Sequence, residues 1–261
     1  MTTIELKGLS AEESANIVVP GTILLAYRGS IAHGMYVPPE QTTSIDDKDL
    51  LGVCVPDERF YYGLGNFEQK ELFVGHWDAV TYELRKFARL LIGANPNVLS
   101  LLWTHPRYFL IREPESEELL ANRELFVTRK AFHSFTGYAY GQLKKMTALA
   151  FNGYMGEKRK KLVEKFGYDT KNAAHLIRIL RMGIEFLREG QMYVDRGAVG
   201  DAAQLLAIKR GEWPLEKVKE EAEILFRRAG EAYDACKLPV GVDHEKVDRL
   251  VISLVKARLA R

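Results

Sequence analysis

The order of apolar and polar positions gives the first part of the chain a strand-rich character. Short apolar runs at residues 23–26, 50–55 and 76–81 predict three strands, because turn-forming residues bound them. Two shorter runs, 61–64 and 72–74, are punctuated by glycines and predict short strands or hairpin pieces. The pattern therefore predicts a fold with strands in this part of the chain.

Helical spacing of apolar residues begins near Tyr82 and dominates after about residue 114. A first helix is predicted from Tyr82 to Gly93, and a short one follows over 98–103. The later helices are predicted in pieces over 116–150, and then over 169–190, 215–236 and 243–259. The chain thus divides into a strand-containing region, residues 1–113, and a helical region, residues 114–261.

Composition adds few constraints to this picture. The chain has 261 residues, of which 47% are hydrophobic and 28% charged, and its net charge of +2 argues neither for nor against a nucleic acid partner. Cys54 falls in an apolar run far from Cys236, so a buried thiol is expected rather than a disulfide or a metal ligand. No signal peptide or membrane-length apolar run is visible, so we expect a cytoplasmic protein without a membrane partner.

The stretch from residue 27 to residue 55 carries the candidate chemistry. The first predicted strand leads into Gly29 and Ser30, a small-residue turn that can bring backbone N–H groups close to a phosphate. Asp47 and Asp49 head the next strand, and their spacing points both carboxylates to one face. Such oxygens suit Mg²⁺, which is usually held by one or two carboxylates and substrate phosphates. The combination indicates phosphoryl or nucleotidyl transfer, although each half alone is also typical of a solvent-facing turn.

These residues resemble the nucleotidyltransferase signature of the DNA polymerase beta superfamily, closest to a branch of predicted nucleotidyltransferases from bacteria and phages. The matching segments are residues 29–34, 47–49 with Gly52 and Val53 behind them, 82–87, 95–97 and 166–178. Two departures stand out. The gap between Ser30 and Asp47 is longer than usual for the superfamily, and Lys48 stands where an apolar or aromatic residue is more typical.

The resemblance implies an α+β fold, in which a small mixed sheet carries the carboxylates and an all-helical C-terminal domain completes the cleft. Residues 1–113 would form the nucleotidyltransferase catalytic domain and residues 114–261 the helical domain. Asp47 and Asp49 would hold Mg²⁺ or Mn²⁺, and the preceding Gly-Ser turn would hold the phosphates of a nucleoside triphosphate.

By analogy with this superfamily, a third carboxylate is expected on a later strand beside the pair. Asp78 is the candidate metal ligand and catalytic group, because Asp78, Val80 and Tyr82 share one face of a predicted strand. A strand-edge aspartate that faces solvent is an equally good interpretation of Asp78. Glu71 and Glu83 are weaker alternatives.

A basic stripe on the helix that begins near Asp169 is a candidate triphosphate site. Lys171, His175 and Arg178 fall on one side at helical spacing, opposite an apolar face. Arginine can bind phosphate through its two-pronged guanidinium and lysine as a point charge, but a solvated helix shows the same pattern. His33, after the Gly-Ser turn, is expected either to contact a phosphate or to cap the turn.

Two basic clusters, Lys144-Lys145 and residues 158–161, have tyrosines nearby in sequence. Basic and aromatic groups together can bind a nucleic acid strand, whereas exposed lysine runs are more often plain solvated surface. Both interpretations stay open.

These features predict a metal-dependent nucleotidyltransferase, in which an acceptor hydroxyl attacks the α-phosphorus of a nucleoside triphosphate and pyrophosphate leaves. The third carboxylate would help to deprotonate the acceptor. A catalytically silent nucleotide-binding regulatory protein and a metal-dependent nuclease are the alternatives. The acceptor is an RNA or DNA end, a small molecule or a protein side chain, and the sequence does not choose among them or fix the nucleotide base or the oligomeric state.

Overall fold

The computed structural model of the protein describes residues 9–38, 46, 48–147 and 157–261, without the side chains of residues 147 and 157–159. Asp47 lies outside the described residues, and its place in the site stays a prediction. The end of the helix expected to reach Ala150 and the side chains of Lys158 and Arg159 lie outside them as well.

A mixed sheet forms in the first part of the described chain. Its strands are β1 (Thr22–Tyr27), β2 (Lys48–Cys54), β3 (Gln69–Val74), β4 (Trp77–Glu83) and β5 (Phe109–Arg112). They lie in the order β3-β4-β2-β1-β5. β2 and β4 run parallel, whereas the other neighbouring strands run antiparallel. As a result, β2 and β4 begin at the same edge of the sheet, and β1 ends there.

Helices pack around the sheet and, with the loops that join them, form the rest of the described chain. In the strand-containing region they are α1 (Ala11–Ile17), α2 (Gly29–Ala32), α3 (Arg59–Tyr62), α4 (Leu84–Ile92) and α5 (Pro96–Leu99). Beyond it they are α6 (Pro114–Ala121), α7 (Ala131–Thr147), α8 (Glu157–Phe166), α9 (Thr170–Glu189), α10 (Arg196–Val199), α11 (Ala202–Lys209), α12 (Leu215–Asp234) and α13 (His244–Leu259). None of the described helices has the length and apolar character needed to cross a membrane, and the cytoplasmic location stays a prediction.

Most strand predictions are confirmed, and the exceptions have local causes. The apolar runs at 23–26, 50–55, 72–74 and 76–81 correspond to β1, β2, β3 and β4. The strand piece expected over 61–64 is wrong, because the Asp57 carboxylate accepts the backbone N–H that opens α3 over 3.0 Å and a helical turn forms instead. β5 was not expected, since its four residues are too few to show a period.

The helical predictions are confirmed in type and adjusted at their ends. α9 begins after Asp169, whose carboxylate accepts a backbone N–H of the first turn over 3.0 Å, and it ends at Gly190 in the left-handed conformation. The long pattern over 116–150 is divided between α6 and α7. The helix expected from about Tyr82 begins only after Glu83, because Glu83 ends β4 and its carboxylate caps α4.

Helix α9 is the centre of the helical part, and α7, α11 and α12 pack against it. Its apolar face is buried as predicted, at Leu176, Ile177, Leu180, Ile184 and Leu187. The same apolar cluster continues into the sheet through Leu24 and Val53. The sheet therefore shares its larger apolar cluster with the helices, whereas a smaller cluster around Leu25 and Leu50 is separate. The division of the chain between residues 113 and 114 stays a prediction.

Candidate active site

A cavity of about 300 Å³ lies where β1 ends and β2 and β4 begin, and the first half of α9 also lines it. All the described candidate residues line this main cavity: Gly29, Ser30, His33, Asp49, Asp78, Lys171, His175 and Arg178. The fold thus brings the Gly-Ser turn, two carboxylates and the basic stripe of α9 to one place. Their catalytic and binding roles stay predictions.

Asp49 and Asp78 are partners across the parallel strands β2 and β4. Adjacent strands lie about 4.8 Å apart and paired residues share a face, so the two carboxylates rise side by side. The predicted position of Asp78 beside Asp49 is therefore confirmed. The weaker alternatives lie elsewhere: Glu83 pairs with Cys54 at the other end of β4, and Glu71 belongs to β3 outside the main cavity.

Burial of the Cys54 thiol confirms the expectation of a buried cysteine. The side chain has no solvent exposure, and its burial, followed by the nearby Glu83, raises the thiol pKa to about 12. Cys54 therefore stays a thiol at neutral pH and packs as a small apolar residue.

Gly29 makes room for the Asp49 carboxylate. Its φ of +60° lies in the left-handed region, and a Cβ at this position would lie only 2.1 Å from Oδ2 of Asp49. Sequence reasoning linked this glycine to the approach of a phosphate, whereas the nearest neighbour of the missing side chain is a carboxylate. The turn is fixed to β2 because the N–H of Arg28 donates to the carbonyl of Asp49 over 2.9 Å.

The turn continues as the single helical turn α2. The N–H of His33 donates to the carbonyl of Gly29 over 3.1 Å, and the N–H of Met35 donates to the carbonyl of Ser30 over 2.8 Å. The first N–H groups of any helix lack acceptors within it. Together with the Ser30 hydroxyl, they are the donors that this turn can offer to an anion.

Arg28 is a residue of the site that sequence reasoning missed. One of its guanidinium nitrogens, Nη2, lies 3.6 Å from Oδ1 of Asp78, and both side chains are partly exposed. Its Nε atom is buried and has no hydrogen-bond partner among the described residues. Its place directly before Gly29 was visible in the sequence, but nothing there indicated that its side chain reaches a neighbouring strand.

His33 and Arg178 form a buried hydrogen-bonded pair between the turn and α9. His33 Nδ1 lies 2.8 Å from the carbonyl oxygen of Val194, and its Nε2 lies 2.7 Å from Nη1 of Arg178. Guanidinium can only donate, so Nε2 accepts and the proton sits on Nδ1, which donates to the carbonyl. Burial, reinforced by the positive charge of Arg178, holds the pKa of His33 well below its usual value. His33 is therefore a neutral residue that orients Arg178.

Arg178 is a buried cation that has no carboxylate partner among the described residues. The residue is 8% exposed, and besides His33 its guanidinium contacts the sulfur of Met182 at 3.2 Å. No carboxylate of the described residues lies within ion-pair distance of it. Burial, followed by the charge of Arg196, lowers the pKa of Arg178 to about 9, so the group stays charged at neutral pH. Arg178 thus does not project into open solvent but lines the main cavity with Asp49 and Asp78.

A second buried connection joins the start of β2 to the end of α11. Lys209 donates to Oδ2 of Asp46 and, over 2.9 Å, to the carbonyl of Met35. Lys171 lies 3.9 Å from the other oxygen of Asp46. Burial lowers the pKa of Lys209, against the opposing effect of Asp46. Sequence reasoning named neither Asp46 nor Lys209 as a site residue, because a pair 163 positions apart leaves no local signal.

The basic clusters lie on helix surfaces. Lys144 and Lys145 are exposed on the last turn of α7, and the Lys144 ammonium lies 4.8 Å from the centre of the Tyr140 ring. Lys160 and Lys161 are exposed on α8. A role in nucleic acid binding stays a prediction for both clusters.

Comparison with known proteins gives one match over nearly the whole chain. The model of RlaP, the RNA repair pathway DNA polymerase beta family, matches residues 2–253. No curated protein matches the chain. Among solved structures, a nucleotidyltransferase-like protein from Exiguobacterium sibiricum 255-15 is 10% identical, with 85% of this chain and 72% of that chain covered and a TM-score of 0.29. A score that low does not establish a shared fold.

Proposed function

The chain belongs to the RNA repair pathway DNA polymerase beta family, and we propose that it is a metal-dependent nucleotidyltransferase that transfers a nucleoside monophosphate from a triphosphate to an RNA end. The superfamily expected from the sequence is thereby confirmed. The metal, the donor and the acceptor belong to the proposal. It places the carboxylates in a catalytic domain over residues 1–113 and the anion-binding helix in residues 114–261.

The observation that carries the proposal is the buried guanidinium of Arg178. Buried charges in proteins are normally paired, because the loss of hydration is costly. Arg178 has no carboxylate partner among the described residues, and it lines a cavity together with Lys171 and the Gly29-Ser30 turn. A polyphosphate in the main cavity would supply the missing negative charge.

The carboxylates fit a divalent cation on the other side of the same cavity. Asp49 and Asp78 present hard oxygen ligands from one sheet face. The described residues contain no group of three or more metal-ligating side chains, and the proposal takes Asp47 as the third carboxylate. Mg²⁺ or Mn²⁺, when bound, neutralises phosphate charge and stabilises the entering and leaving oxygens.

Each group of the chain has a defined task in the proposed reaction. Arg178, Lys171 and the donors of the Gly29-Ser30 turn hold the β- and γ-phosphates, so that the α-phosphate lies near Asp49. Asp78 accepts the proton of the acceptor hydroxyl. A bond forms between that oxygen and the α-phosphorus, the bond to the bridging oxygen breaks, and pyrophosphate leaves with the electron pair.

The acceptor class follows from the family rather than from the cavity. The family is described as part of an RNA repair pathway, and the exposed lysines of α7 and α8 offer charge to an RNA backbone. We therefore place an RNA end ahead of a DNA end, a small molecule or a protein hydroxyl.

A transfer assay with labelled nucleotides tests the proposal. The full chain is incubated with Mg²⁺, each of the four α-labelled nucleoside triphosphates in turn, and short single-stranded RNAs that differ in their ends. We expect the label to join RNA in step with the release of pyrophosphate, and we expect Asp49→Asn to abolish both. Nucleotide binding without pyrophosphate release would identify a regulatory protein, and shortened RNA would identify a nuclease.

A further inference from the structure

A second cavity of about 340 Å³ adjoins the main one. Arg28, Asp78 and Asn97 line both cavities. Asp78 therefore lies at the boundary between the two cavities. The main cavity is the one that the Gly29-Ser30 turn and Arg178 also line.

This side cavity is lined largely by polar groups, among them Glu71 of β3, and aromatic rings reach it from two directions. Phe73 pairs with Asp78 across the antiparallel strands β3 and β4, so both side chains rise from the same face of the sheet. Tyr138 reaches the cavity from α7, and its hydroxyl accepts a hydrogen bond from the amide of Asn97 over 2.7 Å. Despite its size and apolar nature, Phe73 is 76% exposed. A large exposed ring beside a candidate catalytic carboxylate suits contact with a planar ligand.

We infer that the side cavity receives the terminal nucleotide of a single-stranded nucleic acid acceptor, whose base stacks on Phe73 and Tyr138. The inference rests on the proposed function. In an in-line displacement the attacking oxygen enters opposite the leaving pyrophosphate. With the leaving group held by Arg178 in the main cavity, the acceptor has to approach past Asp78 from the other side, and the side cavity opens there.

The surface of α7 continues this site away from Asp78. Tyr138, Gly141 and Lys145 follow one another at helical spacing and share a face. A Cβ added at Gly137 or at Gly141 would meet no described atom within 4 Å apart from the nearby backbone of its own helix. Glycine weakens a helix interior, yet it leaves the backbone open to close approach. The acceptor strand leaves the side cavity along this face, with its phosphates toward the exposed Lys145.

Binding of a labelled RNA tests the stacking site without any need for turnover. The probe is a single-stranded RNA of about ten nucleotides, which spans an ordinary binding site, with an internal fluorophore so that both ends are free. Loss of one stacked ring should weaken its binding to Phe73→Ala by roughly 5- to 100-fold. Tyr62→Ala is the matched control, because Tyr62 is also 76% exposed and lines neither cavity. Equal affinity in Phe73→Ala and in the unchanged protein overturns the site.

The same variants distinguish the acceptor from the donor. Affinity for a nucleoside triphosphate with Mg²⁺, measured by calorimetry, should be unchanged in Phe73→Ala. If triphosphate affinity falls while RNA affinity holds, the cavity receives the base of the donor and the inference is overturned. A chain that loses RNA binding in Phe73→Ala but transfers no nucleotide contradicts the proposed function alone.

The path along α7 has its own matched pair of variants. Gly141→Leu fills the open face, whereas Gly230→Leu adds the same side chain to α12, where a Cβ also meets no described atom within 4 Å. Both changes favour the helix. Only Gly141→Leu should weaken binding of the labelled RNA, by at least about threefold, and equal binding by the two variants overturns this path.

Discussion

Nη1 of Arg178 donates a hydrogen bond to Nε2 of His33 over 2.7 Å, and this contact joins the central helix α9 to the turn that follows β1. The imidazole is held in turn by the carbonyl of Val194. These two contacts fix the guanidinium in a cavity with Asp49 and Asp78. Such preorganisation is what a phosphate-binding arginine needs, because no side-chain freedom is lost on binding.

Removal of the Arg178 guanidinium should weaken the binding of a nucleoside triphosphate. A charge-assisted contact to phosphate contributes roughly 1.5–3 kcal/mol, so Arg178→Ala should weaken triphosphate binding by about one to two decades. Arg178→Lys should rescue it only in part, because lysine lacks the two-pronged donor geometry. Calorimetric titration with a nucleoside triphosphate and Mg²⁺ measures both variants.

Without nucleotide, the same site should limit stability. Arg178→Met removes a buried charge that has no carboxylate partner among the described residues while keeping most of the volume, so the free energy of unfolding should rise by about 1 kcal/mol. Urea denaturation measures it. A loss of stability in Arg178→Met together with unchanged nucleotide affinity in Arg178→Ala would show that the arginine is structural.

The buried neutral His33 should make stability depend on pH below neutrality. Its pKa in the folded protein lies well below that of an unfolded histidine, so between the two values the unfolded state binds the extra proton. The free energy of unfolding should therefore fall as pH drops below about 6.5, by up to about 1.4 kcal/mol per unit from this group. Chemical denaturation across pH 5–7 measures the slope.

His33→Gln should flatten that slope, because glutamine keeps an acceptor for Arg178 but does not titrate in this range. His76→Gln is the control, since His76 is an exposed histidine. Identical slopes in the unchanged protein and in His33→Gln would refute the assignment of a neutral His33.

The paired carboxylates should be dispensable for folding and essential for transfer. Asp49→Asn, Asp78→Asn and, by the sequence prediction, Asp47→Asn should each abolish Mg²⁺-dependent transfer. Asp78→Asn also removes the partly exposed ion pair with Arg28, which is worth at most about 1 kcal/mol. Near-normal transfer by any of these variants removes that residue from the metal site.

Gly29→Ala should damage the site more than its backbone strain alone explains. The new Cβ would collide with the Asp49 carboxylate, whereas Gly75→Ala places a Cβ at nearly the same φ, +59°, with its nearest neighbour 4.0 Å away. Both should cost roughly 1–2 kcal/mol of stability for the left-handed backbone. Transfer activity should fall by at least about tenfold in Gly29→Ala only.

Ser30→Ala should weaken nucleotide binding by about 1 kcal/mol, the value of one hydrogen bond.

Breaking the buried ion pair of Asp46 and Lys209 should strongly lower the free energy of unfolding. Lys209→Met leaves a buried carboxylate without its main partner, so the free energy of unfolding should fall by roughly 3–5 kcal/mol. The double variant Asp46→Asn/Lys209→Met should recover part of this loss, because it removes both charges. Urea denaturation of the single and double variants measures these free energies. Equal stability of Lys209→Met and the unchanged protein would contradict a structural role for the ion pair.

Local sequence patterns predicted most of the strands and helices, because periodicity and capping depend only on residues that are close together in the sequence. The resemblance to the superfamily placed a third carboxylate beside the pair, and the period of two put Asp78 on one face of the strand that became β4, where it is the partner of Asp49. The capping aspartate Asp169 marked the start of α9. Contacts between segments that are far apart in the sequence could not be predicted from it. Nothing near Lys209 in sequence points to Asp46, and the ring of His33 was assigned to a phosphate or a turn, although its partners come from α9 and from Val194. One local prediction was wrong: the strand piece expected over residues 61–64 is largely replaced by α3, whose first turn is capped by the Asp57 carboxylate.

Helix α9 has one face in the centre of the core and the other in the main cavity. Any change that shifts this helix to suit a new ligand also disturbs its packing with α7 and α12. The part of α9 that carries Lys171 and Arg178 is therefore the part of the cavity wall that should tolerate substitution least. The exposed Phe73 on β3 is the opposite case, because substitution there should cost the fold little.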